Sequence, residues 1–126
     1  MSSFNTPRYL TGKKAGADLS AKQYCAVKID TDGDVILCGA GERACGFLMN
    51  APQENEFCEI AAIGGGALAI SAATIAANTP CKADANGHLV AADTDGDKVI
   101  AITQFSSVDN DVFEVMPVMF DLYVAP

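Results

Sequence analysis

The sequence predicts an all-β fold: a compact β-barrel or β-sandwich with two pseudo-repeated halves and an extended N-terminal arm. Three observations lead to this prediction. The apolar segments are short, turn residues separate them at intervals of roughly 8–12 residues, and a faint repeat relates the first half of the chain to the second. With 126 residues, the chain has the length of one domain.

The clearest local signal is a β-hairpin in the first third of the chain. Residues 27–29 and 35–38 are apolar and flank a turn with the sequence DTDGD, and an Asp-Gly pair between apolar runs is typical of a tight hairpin. A last strand is predicted at residues 120–124, where apolar residues alternate with others. Short apolar segments predict the remaining strands at residues 46–49, 57–63, 67–71, 88–91, 99–103 and 112–118.

One segment leaves helix and strand both open. Residues 67–77 are rich in Ala, which favours a helix by intrinsic propensity. The β-branched side chains of Ile70, Thr74 and Ile75 favour a strand, and the three glycines before residue 67 favour a hairpin corner. We expect a strand followed by a tight loop, with a single helical turn at residues 74–77 as the alternative.

The two halves are related by a shift of about 55 residues. Gly33 and Gly87 lie in similar turns 54 positions apart, and residues 54–60 resemble residues 109–115. Two copies are too few for an open array of repeats, so we expect one compact barrel or sandwich without free sheet edges. Its large apolar anchors are predicted to be Phe47, Phe57, Phe105, Phe113, Phe120 and Tyr123.

Charge divides the chain into a basic arm, residues 1–20, and an acidic single β domain, residues 21–126. The formal net charge is −8, yet residues 1–28 hold five basic side chains against Asp18 alone. This imbalance indicates an arm with a partner of its own, although a frayed terminus with solubilising charge gives the same pattern. Because an acidic body repels phosphate, we expect a protein partner and no nucleic acid.

Metal and cofactor sites are not expected. The Asp-rich turns at residues 30–34 and 93–97 resemble calcium loops, but a helix–loop–helix calcium site needs Gly at its sixth position and Glu at its twelfth. Counted from Asp30 and Asp93, the glycine is fourth and the twelfth residue is not acidic, so weak calcium binding is a minor alternative. The five cysteines lack the close spacing of a zinc knuckle, and we expect free, mostly buried thiols.

Catalysis and membrane insertion are not expected either. His88 is the single histidine, and no nucleophile with an orienting acid lies beside it in a known motif. The longest weakly charged run, residues 60–81, is interrupted by three glycines and is a poor membrane span. The first residues lack the basic and apolar regions of a secretion signal, so we expect synthesis in the cytoplasm.

The order of the motifs resembles the small capsid decoration, or cement, proteins of tailed bacteriophages. The resemblance covers about residues 17–118 and depends on order, since each motif by itself has low specificity. The matching segments are ADLSAKQY (17–24), AVKID (26–30), GFLMNAP (46–52), EIAAIGG (59–65), KADANGHLVAA (82–92), GDKVIAI (96–102) and DVFEV (111–115).

The resemblance implies a non-enzymatic protein of the virion, made in the bacterial cytoplasm and bound to the outer surface of the mature head. Such proteins bridge neighbouring major capsid proteins, stabilise the shell, and often form homotrimers. In this chain we expect the basic arm to bind the capsid while the acidic body faces solvent. The capsid-binding residues are then predicted to be Phe4, Pro7, Arg8, Tyr9, Leu10, Lys13 and Lys14.

A carbohydrate- or receptor-binding β module on a virion surface is the alternative. Such a module would use an exposed aromatic platform, and the chain has no Trp and only three Tyr. An enzyme or a metal protein comes third, because of the single histidine and the cysteine spacing.

Overall fold

The computed structural model describes residues 8–125, and every regular element in that range is a β-strand. The strands are β1 (Arg8–Leu10), β2 (Ala26–Ile29), β3 (Val35–Leu37), β4 (Gly46–Leu48), β5 (Ile60–Ala62), β6 (Ala67–Ile70), β7 (Pro80–Ala83), β8 (Leu89–Ala91), β9 (Lys98–Thr103) and β10 (Val112–Asp121). The predicted all-β fold is confirmed.

The strands form two five-stranded antiparallel sheets, in the orders β1-β5-β4-β2-β3 and β6-β10-β9-β7-β8. Adding five to each strand number of the first order gives the second, so the two halves have the same topology. Their turns also match. The N–H of Asp34 donates to Asp30 Oδ1 at 2.9 Å, and the N–H of His88 donates to Asp84 Oδ1 at 2.9 Å. The predicted pair of similar halves is therefore confirmed.

The segment after the first strand of each half closes the sheet. Ala15 pairs with Val35 of β3, which is the far edge of the first sheet, and Ser71 pairs in the same way with Leu89 of β8. In each half the following residue donates its N–H to the carbonyl of that same edge residue, at 2.7 and 2.8 Å. Backbone groups of the edge strand are thereby hydrogen-bonded within the same half, and each half has a barrel-like form.

Two buried apolar clusters form the core. The first lies inside the first half and contains Ala15, Leu19, Val27, Val35, Leu48, Cys58 and Ile60. The second joins the two halves, because Phe47 and Ala61 of the first sheet belong to it together with Ala69, Leu89 and Val115 of the second half. Fully burying a side chain such as Phe47 contributes about 1.5–3 kcal/mol.

The β7–β8 hairpin turn of the second half packs against the first half. The N–H of Ala26 donates to the carbonyl of Gly87 at 2.8 Å. A Cβ on Gly87 would lie 2.8 Å from Leu37 Cδ1 and 3.0 Å from Cys25 Cβ, and the φ of this residue is +75°. The equivalent Gly33 has no atom within 4 Å of such a Cβ. Only one of the two equivalent turns is enclosed.

The predicted strands differ from the observed ones in two places. β7 is absent from the prediction, because Pro80 and Lys82 hide its apolar pattern. The segment predicted at 112–118 and the first two residues of the one predicted at 120–124 form one strand, β10, which has a shift in register between Pro117 and Phe120 and ends at Asp121. Residues 67–70 form β6 and are followed by a loop without a helical turn, as the preferred prediction states.

The other difference concerns the arm. Arg8–Leu10 form β1, which pairs with β5, and Ala15 and Leu19 are buried in the first core cluster. A boundary at residue 20 therefore does not separate an arm from the body, because apolar residues before it complete the first barrel. Residues 1–7 lie outside the described residues.

Most of the predicted aromatic anchors are not in the core. Phe47 and Phe113 are buried, as predicted. The core is instead filled by small residues, among them Ala26, Ala61, Cys38 and Cys81, which are fully buried. Four of the six anchors are exposed, and their prediction is wrong: Phe57, Phe105, Phe120 and Tyr123.

Candidate functional site

The seven residues predicted to bind a partner are divided by the structure. Phe4 and Pro7 lie outside the described residues. The other five lie at or just after β1, the edge strand of the first sheet: Arg8, Tyr9, Leu10, Lys13 and Lys14. The structure thus places these five on one short stretch of the first half.

Tyr9 and Leu10 have opposite environments although they are adjacent. Tyr9 pairs with Ala61 of β5, and 51% of it is exposed. Leu10 pairs with Ile60 and packs against the first core cluster. Successive side chains of a strand face opposite sides, so Tyr9 presents its ring to solvent while Leu10 helps to hold β1 in place.

Lys14 lies over an exposed aromatic ring. The backbone of Lys14 forms an isolated antiparallel β-bridge with that of Phe57, and Lys14 Nζ is 5.8 Å from the centre of the Phe57 ring. Phe57 is 63% exposed. A lysine at this distance gains a modest cation–π attraction at an exposed site. Lys14, Phe57, Tyr9 and the half-buried Lys13 form the surface that we call the N-terminal edge.

Phe57 is the member of this surface that the sequence prediction missed. Cys58 and Ile60 are both buried in the first core cluster. Because side chains alternate along a strand, the inward pair leaves Phe57 and Glu59 facing outwards. The alternation was the signal available in the sequence, and the general preference of Phe for a core position obscured it.

The basic charge of the N-terminal residues is partly neutralised. Lys28 forms an ion pair with Glu42 at 2.8 Å, and the hydrogen bond from Lys28 lowers the pKa of that carboxyl. The second half repeats this pair, with Lys82 Nζ 3.2 Å from the carboxylate of Asp97. Lys13 and Lys14 have no such ion pair among the described residues. They supply the positive charge of the N-terminal edge.

The cysteines are poor nucleophiles. All five are free thiols, and four of them are buried. Burial raises the pKa of Cys38 and of Cys45 to about 11, and that of Cys81 to about 12. Thiols with such values are almost entirely protonated at neutral pH, whereas the thiolate is the nucleophile and the metal ligand.

The Asp-rich turns use their carboxylates to fix the backbone. Oδ1 of Asp30 accepts the N–H groups of Asp32 and Asp34, at 3.0 and 2.9 Å. An aspartate that caps its own turn in this way favours the tight hairpin. Within residues 8–125, no group of three or more His, Cys, Asp or Glu side chains is arranged to hold a metal ion.

The comparisons with known proteins add a likeness of fold. No protein-family model matches the chain, and no curated protein matches its sequence. Among solved structures, the chain is similar to the N base of the head fiber protein gp8.5 of bacteriophage phi29. The TM-score is 0.68, the match covers 93% of this chain and 98% of that one, and the sequence identity is 10%. The two chains share a fold over nearly their whole lengths.

No helix within the described part of the chain is long and apolar enough to span a membrane.

Proposed function

We propose that this protein is a structural component of a phage virion that decorates the outer surface of the mature head. In this role it binds the major capsid protein, bridges neighbouring copies of it and stabilises the shell. The observation that carries the proposal is the shared fold with a phage head fiber base, over 93% of this chain. The order of sequence motifs, which resembles capsid decoration proteins, supports the same role independently.

The N-terminal edge is the attachment surface in this proposal. Within residues 8–125, β1 has a neighbouring strand on one side only, so its other side could pair with an extended segment of the shell. Tyr9 and Phe57 would bury apolar area in the contact, while Lys13 and Lys14 would meet carboxylates. Arg8, Phe4 and Pro7 are the remaining residues that the sequence predicts to take part in this contact.

Any backbone that becomes ordered on attachment opposes it, because fixing the backbone of one residue costs about 1–2 kcal/mol. Strand pairing at β1 and burial of aromatic rings must offset that cost. A matured shell presents many copies of the same binding site on the major capsid protein, and each could form this contact.

The rest of the proposal follows from the same role. The protein has no catalytic activity, needs no cofactor and binds neither nucleic acid nor membrane. On the head it forms a homotrimer, as the resemblance to decoration proteins implies. The acidic chain, with its net charge of −8, stays soluble before it attaches.

The experiment is co-sedimentation with heads of the parent phage. Purified protein is mixed with expanded heads and, separately, with unexpanded procapsids. We expect saturable binding to expanded heads, lost on deletion of residues 1–7 and weakened by Lys14→Glu. Lys22→Glu makes the same charge change at a half-buried lysine outside the N-terminal edge and serves as the control. Absence of wild-type binding to either particle would remove the capsid role.

A carbohydrate- or receptor-binding module is the second candidate, and exposed aromatic rings favour it. Tyr9, Phe57 and Tyr123 are 51%, 63% and 76% exposed. Aromatic faces are common platforms for sugar rings, although the chain lacks Trp. Binding of the purified protein to defined glycans on an array, lost in Phe57→Ala, would support this candidate over attachment to the shell.

A further inference from the structure

The second sheet has an exposed apolar face. Along β10, Val112, Glu114 and Met116 alternate with buried Phe113 and Val115, so the first three face outwards. Val112 is 49% exposed and Met116 45%. Their neighbours on adjacent strands are also apolar and only partly buried. We call this surface the outer face; its apolar members are Leu68, Ile70, Ile102, Val112 and Met116.

The equivalent face of the first sheet is covered. There Ala26, Phe47 and Ala61 form a row across β2, β4 and β5, and all three are fully buried where the second half packs. The same row in the second sheet is Pro80, Ile102 and Met116, across β7, β9 and β10.

The comparison of the two rows indicates a missing partner. The first row is buried by the chain itself, whereas the second row keeps apolar side chains that residues 8–125 leave partly exposed. Apolar patches of this kind on a soluble protein mark interaction sites.

We propose that the outer face is a second contact surface, which binds an apolar, lysine- or arginine-bearing surface of another capsid subunit. Charge selects this partner. Residues 67–125 contain two lysines and eight carboxylates, so the half that carries the outer face is strongly acidic. Three of the carboxylates, Asp109, Asp111 and Glu114, lie within three residues of Val112 in sequence. A basic partner complements them.

A second copy of the chain fits this face less well. Two outer faces in contact would bring the carboxylates of both copies together, and like charges at an interface are unfavourable. Lys13 and Lys14 of a second copy could complement these carboxylates, but they belong to the N-terminal edge, which is already assigned to attachment. The shell therefore remains the occupant that both charge and geometry favour.

This inference rests on the proposed function and gives it a mechanism. Bridging two shell subunits requires two separate contact surfaces on one molecule. The N-terminal edge is basic and aromatic and belongs to the first half. The outer face is aliphatic and belongs to the acidic second half, whose two lysines, Lys82 and Lys98, are already paired with Asp97 and Asp121. Two surfaces of opposite charge bind two different regions of the shell, so one molecule joins neighbouring subunits.

The test uses Met116→Glu and Asp109→Lys in the full chain, with expanded heads of the parent phage. Ile29→Glu and Asp32→Lys introduce the same charged side chains at exposed positions outside the outer face and serve as matched controls. Co-sedimentation measures the affinity, and circular dichroism with urea unfolding confirms the fold. Asp109 lies in an exposed turn, so its variant tests the surface even if Met116→Glu does not fold.

We expect each outer-face variant to bind heads at least roughly tenfold more weakly than wild type, while both controls bind normally. Normal binding by the two outer-face variants would overturn this inference and leave the proposed function intact, whereas failure of the wild type to bind removes the proposed function itself. Sedimentation velocity of the free protein adds one more outcome. If the wild type self-associates and Met116→Glu does not, a second copy occupies the outer face, and this result would also overturn the inference.

Discussion

Gly33 and Gly87 occupy the same position in two equivalent turns, and their surroundings differ completely. Both have a positive φ, of 84° and 75°. A Cβ on Gly33 would enter open space, whereas one on Gly87 would meet Leu37, Cys25 and the carbonyl of Ala26 in the other half. Both turns therefore need a glycine for its backbone conformation, but only the turn at Gly87 also needs one because the other half packs closely against it.

Substitution of these glycines should show the difference directly. Gly33→Ala meets only the backbone penalty of a left-handed conformation, about 1–2 kcal/mol. Gly87→Ala adds a clash, since its Cβ would lie 2.8 Å from Leu37, and overpacking costs a further 1–3 kcal/mol or so. Urea unfolding of the two variants measures both losses. Equal losses would mean that the turn of the second half does not pack against the first as described.

Phe47 and Ile102 form a second matched pair, at equivalent positions of β4 and β9. Phe47 is fully buried, so Phe47→Ala should lower the free energy of unfolding by about 3–5 kcal/mol. Ile102 is only partly buried, and Ile102→Ala should cost clearly less, about 1–2 kcal/mol, because solvent already reaches it. Denaturant titration measures both. A larger loss at Ile102 would show that the outer face is covered in the free protein.

Acid should weaken the fold through Asp97. Hydrogen bonds from the N–H of Thr94 and from Lys82 lower the pKa of its carboxyl below 3.8. A carboxyl with a lowered pKa in the folded state stabilises the protein above its unfolded pKa, and this stability is lost as pH falls through the folded value. Urea midpoints between pH 2 and 6 should therefore fall steeply below about pH 4 in the wild type. Asp97→Asn should be less stable than the wild type at pH 6 and show a flatter acid profile, and Asp32→Asn removes a carboxyl from the other Asp-rich turn as the matched control.

The thiols should resist modification while the protein is folded. Burial raises the pKa of Cys45, the half-exposed member of the five, to about 11. At pH 8 the thiolate fraction of such a group is on the order of one in a thousand. An aromatic disulfide reagent should thus react slowly with native protein and release five equivalents of thiolate in denaturant. Rapid reaction of one thiol in the native state would contradict the buried environment described for it.

The sequence predicted the elements that local chemistry determines. The Asp-Gly turn gave the β2–β3 hairpin, and the shift of about 55 residues gave the paired halves. β7 was missed because its own sequence has no clear apolar alternation, and its place in the sheet depends on pairing with β8 and β9. Cys81 pairs with Ala91 on one side and with Ala101 on the other, and small buried residues such as these carry a weak strand signal.

The candidate site was predicted only in part, for a physical reason. The basic residues were visible as charge, but the partner ring of Lys14 comes from Phe57, which is 43 positions away in the sequence. The arm boundary failed for a related reason: Leu19 and Ala15 complete a barrel whose other walls lie later in the chain. Contacts between distant segments carry no local pattern.

The row across the second sheet begins with Pro80, where the first sheet has Ala26. The N–H of Ala26 is the group that holds the carbonyl of Gly87, and proline has no N–H to offer. A third unit of the same kind therefore cannot be held on the second half as the second is held on the first. Proline at position 80 thus excludes this one contact from the second half, in the way that atypical units limit stacking in repeat proteins, and leaves that face to a partner that binds differently.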